Sequence, residues 1–136
     1  MAVGLVIVSH SQRLAEGVAE FAGQMAARGE VTIIAAGGTD TGELGTSMAK
    51  VQRALEAADS GDGVLALIDL GSALLTVSMA IEQLSEERRA RVRLSGAPLV
   101  EGAFVAAVEA SVGSDLAQVA ATADDAATMD KGVNDQ

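Results

Sequence analysis

The sequence predicts an α/β fold, a single doubly wound three-layer sandwich built around a mostly parallel central sheet of about four strands. Four apolar segments alternate with segments of helical periodicity. The first three are near-continuous apolar runs, which are typical of strands covered on both faces. This alternation and spacing indicate parallel strands joined by right-handed crossovers. The 136 residues fit one domain over 1–126, followed by a flexible tail over 127–136.

The four predicted strands are short, and they differ in how polar their neighbours are. They span about 3–8, 31–36, 64–69 and 92–95. The fourth is the shortest and alternates with Arg91 and Arg93. We therefore place the fourth strand at an edge of the sheet.

Apolar residues at helical spacing predict the face that each helix turns to the core. These faces are Leu14, Val18, Phe21 and Met25, then Met48, Val51, Leu55 and Ala58, then Leu74, Val77, Ile81 and Leu84, then Val100, Phe104, Val108 and Val112. Thr46 or Ser47 is expected to cap the second helix, and Pro98 to begin the fourth. Ser114 is predicted to cap a last, alanine-rich helix.

Composition and charge exclude several classes of function. The absence of cysteine rules out disulfides, thiol catalysis and thiolate metal sites, and we expect no metal and no tightly bound cofactor. A net charge of -10 argues against nucleic acid and anionic membranes as partners. The apolar N-terminal run is too short for a signal peptide or membrane span, so we expect a cytoplasmic protein.

Two titratable residues follow strands and are therefore expected at the same rim of the sheet. His10, the only histidine, follows the first strand, and Asp69 ends the third. Without cysteine, His10 is the best nucleophile or general base near neutral pH. Asp69 can accept the Nδ1–H of His10 and leave Nε2 free to react. The alternative is that Asp69 only caps a helix or meets solvent.

An anion beside His10 would face helix N-termini, whose free N–H groups favour phosphate. Hydroxyl groups and glycines in the rim loops would add donors. The candidate phosphate contacts are Ser11, Gly38, Thr39, Gly71 and Ser72. The long loop over 36–47 matches neither a P-loop nor a dinucleotide fingerprint, and a flexible connection is its alternative reading.

Several segments around these residues resemble the mannose-class enzyme IIA domains of the bacterial phosphoenolpyruvate-dependent phosphotransferase system. The matching segments are 5–11 with 14–17, 35–37 with 45–46, 69–75, and 92–94 with 97–102. Within that family the chain is most similar to the phosphocarrier subunits of phosphoenolpyruvate-dependent dihydroxyacetone kinases. The resemblance therefore indicates a phosphotransferase with an enzyme IIA-like fold.

The resemblance also implies a relay and its partners. His10 matches the histidine that the family phosphorylates on Nε2, so a transient phosphoryl group is expected there. The donor would be the phosphocarrier HPr, charged by enzyme I. The acceptor would be ADP on the subunit DhaL, and the resulting ATP would phosphorylate dihydroxyacetone on DhaK. Asp69 matches the family's acid beside the histidine, and family members are usually homodimers.

Two other functions stay open at this stage. One is a mannose-class enzyme IIA for sugar uptake, although such domains typically have His-Gly where this chain has His10 and Ser11. The other is a non-catalytic signalling or interaction domain in which His10 is incidental. A phosphorylated receiver domain fits less well, because it needs acids after the first strand to hold Mg²⁺.

Overall fold

The computed structural model describes residues 2–26 and 30–135 as a four-stranded sheet flanked by helices. In chain order the elements are β1 (Gly4–Ser9), α1 (Gln12–Ala26), β2 (Ile33–Gly37), α2 (Met48–Ala58), β3 (Val64–Ile68), α3 (Leu74–Glu82), α4 (Glu86–Arg89), β4 (Val92–Ser95), α5 (Leu99–Ser111) and α6 (Leu116–Asp125). A 3-10 turn at Gly71–Ala73 leads into α3. Of these elements, the short α4 was not predicted.

The strands are arranged in the order β2-β1-β3-β4, and all three pairs are parallel. This confirms the predicted sandwich and places β1 and β3 in the middle of the sheet. The edge position predicted for β4 is confirmed, but β2 also lies at an edge. The sequence of β2 is apolar because helices cover both of its faces. That coverage does not require a neighbouring strand on each side.

Each face of the sheet has its own hydrophobic core. On one face, α1, α5 and α6 pack against the sheet and bury side chains such as Leu5, Ile7 and Leu67. On the other face, α2 and α3 cover Val6, Val8 and other side chains that point the opposite way. The alternation along β1 therefore assigns successive residues to opposite cores.

The core face predicted for α1 is largely wrong. Val18 is buried as expected, but Leu14, Phe21 and Met25 are 44%, 52% and 46% exposed. Alanines take their place against the core, at Ala15, Ala22 and Ala26. Small side chains on the inner face let the helix backbone approach the sheet closely, and the larger apolar residues then point outward.

The prediction for α5 fails in the same way. Val100, Val108 and Val112 are exposed and Phe104 is half-buried. The buried positions are Leu99, Gly102, Ala103, Ala106, Ala107 and Ala110. A Cβ added at Gly102 would lie 2.8 Å from the Cβ of Ala97, so the inner face of α5 has no room for larger residues. Periodicity found the helix, but residue size decided its orientation.

The predicted faces of α2 and α3 are correct apart from their first residues. Val51, Leu55 and Ala58 are buried in α2, and Val77 and Leu84 are buried in and just after α3. The exceptions are Met48 and Leu74, which are 37% and 48% exposed. Both are the first residues of their helices.

The predicted helix starts are confirmed in two cases out of three. Ser47 caps α2, since its side chain accepts the N–H of Lys50. Pro98 immediately precedes α5. The cap of α6 is Asp115, which accepts the N–H of Gln118, so the prediction of Ser114 is wrong. The hydroxyl of Ser114 donates instead to Glu109.

The segment after α6 begins with a 3-10 turn at Ala126–Thr128. The ammonium group of Lys131 lies 2.8 Å from the carboxylate of Glu101 on α5. The flexibility expected of residues 127–136 stays a prediction, and Gln136 lies outside the described residues. Within 2–26 and 30–135, no helix is long and apolar enough to cross a bilayer.

Candidate functional site

His10 and Asp69 meet at the carboxyl edge of the sheet because they follow neighbouring strands. β1 ends at Ser9 and β3 at Ile68, and the two strands are paired in parallel. The Nδ1 of His10 lies 2.9 Å from Oδ1 of Asp69. The side chain of His10 is 28% exposed, whereas that of Asp69 is 11% exposed. The ring is therefore open to a partner while its orienting carboxylate is shielded.

The carboxylate of Asp69 receives four hydrogen bonds. Oδ1 accepts from the ring of His10 and from the N–H of Leu70 at 2.7 Å. Oδ2 accepts from the N–H of His10 and the hydroxyl of Ser9, both at 2.9 Å. Burial alone would raise the pKa of Asp69, but these donors outweigh it and hold the pKa below its ordinary value. Asp69 is therefore ionised at neutral pH.

The ionised carboxylate determines which nitrogen of His10 can react. A carboxylate only accepts hydrogen bonds, so Nδ1 bears the ring hydrogen and Nε2 has the free lone pair. The hydroxyl of Ser72, 2.8 Å away, accordingly donates to Nε2. The three side chains thus form a line from Asp69 through the imidazole to Ser72, with Nε2 on the side of the exposed Ser72.

Ser9 contributes to the site but was not among the predicted site residues. Its side chain is fully buried at 0% exposure, and its hydroxyl donates to Asp69. The same oxygen accepts the N–H of Ser11 at 3.0 Å. A buried hydroxyl must find partners, and a serine at the end of a buried strand was a signal for this network.

Among the predicted phosphate contacts, Ser11 and Gly71 lie next to the reactive residues. The hydroxyl oxygen of Ser11 accepts the N–H of Leu14 at 3.2 Å, which caps α1 and leaves the hydroxyl hydrogen free to donate. Gly71 begins the exposed 3-10 turn that presents Ser72. The role of Ser11 and Gly71 as phosphate contacts stays a prediction.

The loop residues Gly38 and Thr39 have partners inside the fold. The N–H of Gly38 donates to the carbonyl of Ser9, and the residue has a φ of 74°. Thr39 exchanges hydrogen bonds with Glu43, donating its N–H and accepting through its hydroxyl oxygen. These bonds fold the loop against the start of α1. The role of Gly38 and Thr39 as phosphate contacts stays a prediction.

The same loop reaches the site through its backbone. The N–H of Gly45 donates to the carbonyl of His10 at 2.8 Å. A Cβ at Gly37 would lie 2.5 Å from the carbonyl oxygen of Ser11, so only glycine fits there. The adjacent Leu44 is 81% exposed at the rim. The loop therefore fixes the backbone around His10 and leaves the ring accessible.

Comparison with protein families gives a match that covers most of the chain. The sequence model of the family described as "PTS system fructose IIA component", EIIA-man, matches residues 4–120. Those residues include β1, β3 and the rim between them, and so the whole of the site described above.

Individual proteins give a more specific likeness. The chain is 47% identical over 119 residues to "PEP-dependent dihydroxyacetone kinase, phosphoryl donor subunit DhaM" of Escherichia coli K12. That match covers 86% of this chain but 25% of the relative, so the chain spans about a quarter of that protein's length. A Listeria innocua relative, "PEP-dependent dihydroxyacetone kinase 2, phosphoryl donor subunit DhaM", is 37% identical over 81% of this chain and 87% of its own length.

A solved structure shows the same architecture. The crystal structure titled as the unknown function protein EF1359 superposes with a TM-score of 0.82 at 40% sequence identity. The superposition covers 92% of this chain and 95% of that one.

Proposed function

Since this chain belongs to the EIIA-man family and, within it, to the DhaM-type subunits, we propose that it is a phosphohistidine carrier of a dihydroxyacetone kinase. The observation that supports this most directly is the line of hydrogen bonds from Asp69 through His10 to Ser72. It gives Nε2 a free lone pair, an exposed position and a carboxylate behind the ring. These are the properties that a reversible phosphoryl carrier needs.

The acceptance step uses each of these features. Nε2 of His10 attacks the phosphorus held on a histidine nitrogen of the donor; the new P–N bond forms as the old one breaks. The donor nitrogen keeps the electron pair of the broken bond. Nδ1 of His10 retains its hydrogen, so the phosphorylated ring becomes cationic, and the carboxylate of Asp69 stabilises that charge.

Ser72 must change its hydrogen bond during this step. Its hydroxyl donates to the lone pair of Nε2 in the free protein, so it has to turn away before attack. It can then donate to an oxygen of the transferred group, together with Ser11 and the N–H of Gly71. Helix N-termini beside an anion favour the same arrangement.

The delivery step reverses the chemistry with a different acceptor. A β-phosphate oxygen of ADP attacks the phosphorus, the P–Nε2 bond breaks, and Nε2 recovers its lone pair. We propose HPr, charged by enzyme I, as the donor and ADP on DhaL as the acceptor, with DhaK holding the dihydroxyacetone. The reactions would take place in the cytoplasm, with this chain as a homodimer and no other cofactor.

The test is intact-mass analysis of the chain after incubation with phosphoenolpyruvate, enzyme I and HPr. We expect one acid-labile phosphoryl group on the wild-type chain and none on the variant His10→Ala. Addition of ADP-loaded DhaL should then remove the group and yield ATP. Because His10 is partly exposed, the alanine variant should keep the circular dichroism spectrum of the wild type.

The outcomes separate the alternatives. Phosphorylation that persists in His10→Ala would overturn the assignment of the carrier residue. A phosphoryl group that forms on His10 but is not discharged by DhaL would contradict the kinase and favour sugar uptake. No phosphorylation at all would leave a non-catalytic domain.

A further inference from the structure

The outward-facing residues of α1 and α5 form a continuous apolar surface. On α1, Leu14, Phe21 and Met25 are each about half exposed. On α5, Val100 and Val108 are 43% and 40% exposed, with Phe104 half-buried between them. We call these six residues the α1/α5 face.

An aromatic pair connects the apolar residues of α1 with those of α5. The rings of Phe21 and Phe104 have centroids 5.3 Å apart and are tilted by 34°. Four residues further along each helix lie Met25 and Val108, one helical turn from the pair. The exposed residues therefore line up side by side on neighbouring helices, and they form one patch rather than scattered surface positions.

From this patch we infer that the α1/α5 face is the surface on which a second copy of this chain docks. The inference locates the interface of the homodimer proposed above; it rests on that dimer and not on phosphoryl transfer. The exposed fractions correspond to roughly 400 to 500 Å² of apolar side chain, a patch as large as the largest on a typical monomer, which is often functional. A standard interface takes about 800 Å² from each partner. The patch would supply its apolar centre.

Charge favours a second copy over a partner of opposite sign. The chain has a net charge of -10, so two copies can share only a surface whose centre lacks like charges. The six positions of the α1/α5 face carry no charge. The acids on α5 have partners outside the α1/α5 face, since Glu101 pairs with Lys131 and Glu109 accepts from Ser114 and Thr122. A basic partner would instead require acids at the centre of the patch.

The position of the face is compatible with a working active site. Its residues extend from Leu14 along α1, away from His10, toward the opposite edge of the sheet. The ring of His10 lies at the rim before the helix begins. A dimer formed through this face therefore leaves both histidines open to other proteins.

The test measures association of the chain by sedimentation velocity over a range of concentrations. We expect the wild-type chain to sediment as a species of twice its 13.6 kDa mass. The variant Met25→Glu should weaken association by at least about tenfold, because it places a charge at the centre of an apolar interface. The matched control is Met79→Glu on α3, since Met79 is 44% exposed on the other face of the sheet and Met25 is 46% exposed. The control should associate like the wild type.

Each outcome supports or overturns the inference. A monomeric wild-type chain at all concentrations would overturn both the dimer and its interface. A dimer that Met25→Glu and Phe21→Glu leave intact, with unchanged melting temperatures, would overturn the interface alone. Phosphorylation of His10 in the same samples reports the proposed function separately, and we expect Met25→Glu to retain it.

Discussion

Two carboxylates at opposite edges of the sheet are both held ionised, but by different kinds of partner. Asp69 lies at the carboxyl edge and is surrounded by neutral donors and one histidine. Asp59 lies at the amino edge, just before β3, and its side chain is 2% exposed. It receives the guanidinium of Arg91 at 2.9 Å and that of Arg88 at 3.5 Å. A carboxylate thus lies near each end of β3, and the two carboxylates are stabilised by different kinds of partner.

Under the proposed function, this difference separates a structural acid from a functional one. The hydrogen bond from Arg91 is the main reason that the pKa of Asp59 is lowered, and it acts against the effect of burial. Its charge is already balanced by fixed cations. Among the residues that the structure describes, no lysine or arginine pairs with Asp69, so under the proposed function its charge is available to balance the positive charge that would form on the ring of His10. A carboxylate that lacks a permanent counter-ion can stabilise a positive charge that forms only transiently.

The largest expected effect follows from removing the charge at the carboxyl edge. The side-chain amide in Asp69→Asn can donate as well as accept, so it no longer holds the ring hydrogen of His10 on Nδ1. We therefore expect the rate of His10 phosphorylation to fall by at least about a hundredfold. Rapid-quench measurement with phosphorylated HPr gives the rate. Asp59→Asn is the matched control, and its rate should equal that of the wild type. Equal rates in Asp69→Asn would reduce Asp69 to a structural residue.

Removing the charge at the amino edge should affect stability instead of transfer. Asp59→Asn leaves Arg88 and Arg91 without their buried partner, and we expect the free energy of unfolding to fall by about 2 kcal/mol. Urea denaturation followed by circular dichroism measures this change. A variant with wild-type stability would show that the two arginines are fully satisfied by solvent.

A smaller effect is expected from substitution of Ser9, whose hydroxyl donates to Asp69. Ser9→Ala removes one donor to Oδ2 and should slow phosphorylation of His10 by about tenfold. Ser9→Thr keeps the hydroxyl and should restore most of the rate, which a purely steric role of the side chain would not predict. The NMR signals of the His10 ring nitrogens report whether hydrogen still resides on Nδ1. An alanine variant with wild-type rate and ring signals would remove Ser9 from the site.

The smallest effect concerns pH and salt. Both acids have a folded-state pKa below the ordinary 3.8, so their stabilisation is complete above about pH 5 and is lost as pH falls through the folded value. The urea midpoint should therefore depend less on pH below about pH 4 in Asp59→Asn than in the wild type. Added salt should lower the contribution of the ion-paired Asp59 more than that of Asp69. Identical salt dependence in Asp59→Asn and Asp69→Asn would contradict the distinction between them.

The sequence predicted the order of elements and the meeting of His10 with Asp69, because both depend on strand positions that apolar runs reveal. It did not predict the outward turn of α1 and α5. Hydropathy ranks Leu14 and Phe21 above Ala15 and Ala22, whereas close packing against the sheet selects the smaller residues. Size complementarity between elements far apart in sequence is invisible to local periodicity.

The candidate site was predicted in the same partial way. His10, Asp69 and Ser72 were found from loop positions, and their side chains are in contact. Ser9 was missed because it ends an apolar run, and its importance depends on a carboxylate 60 residues later. The arginine pair around Asp59 also depends on long-range contacts, which no spacing in the sequence reports.

The contact between His10 and Asp69 also has a consequence for how the chain folds. The two residues are 59 positions apart, so the ring acquires its orienting carboxylate only after β3 has docked beside β1. A chain that has paired β1 with β2 alone presents an imidazole without a preferred tautomer. The reactivity of His10 toward a small phosphoryl donor should therefore appear late in refolding. Its time course would report when the two central strands pair.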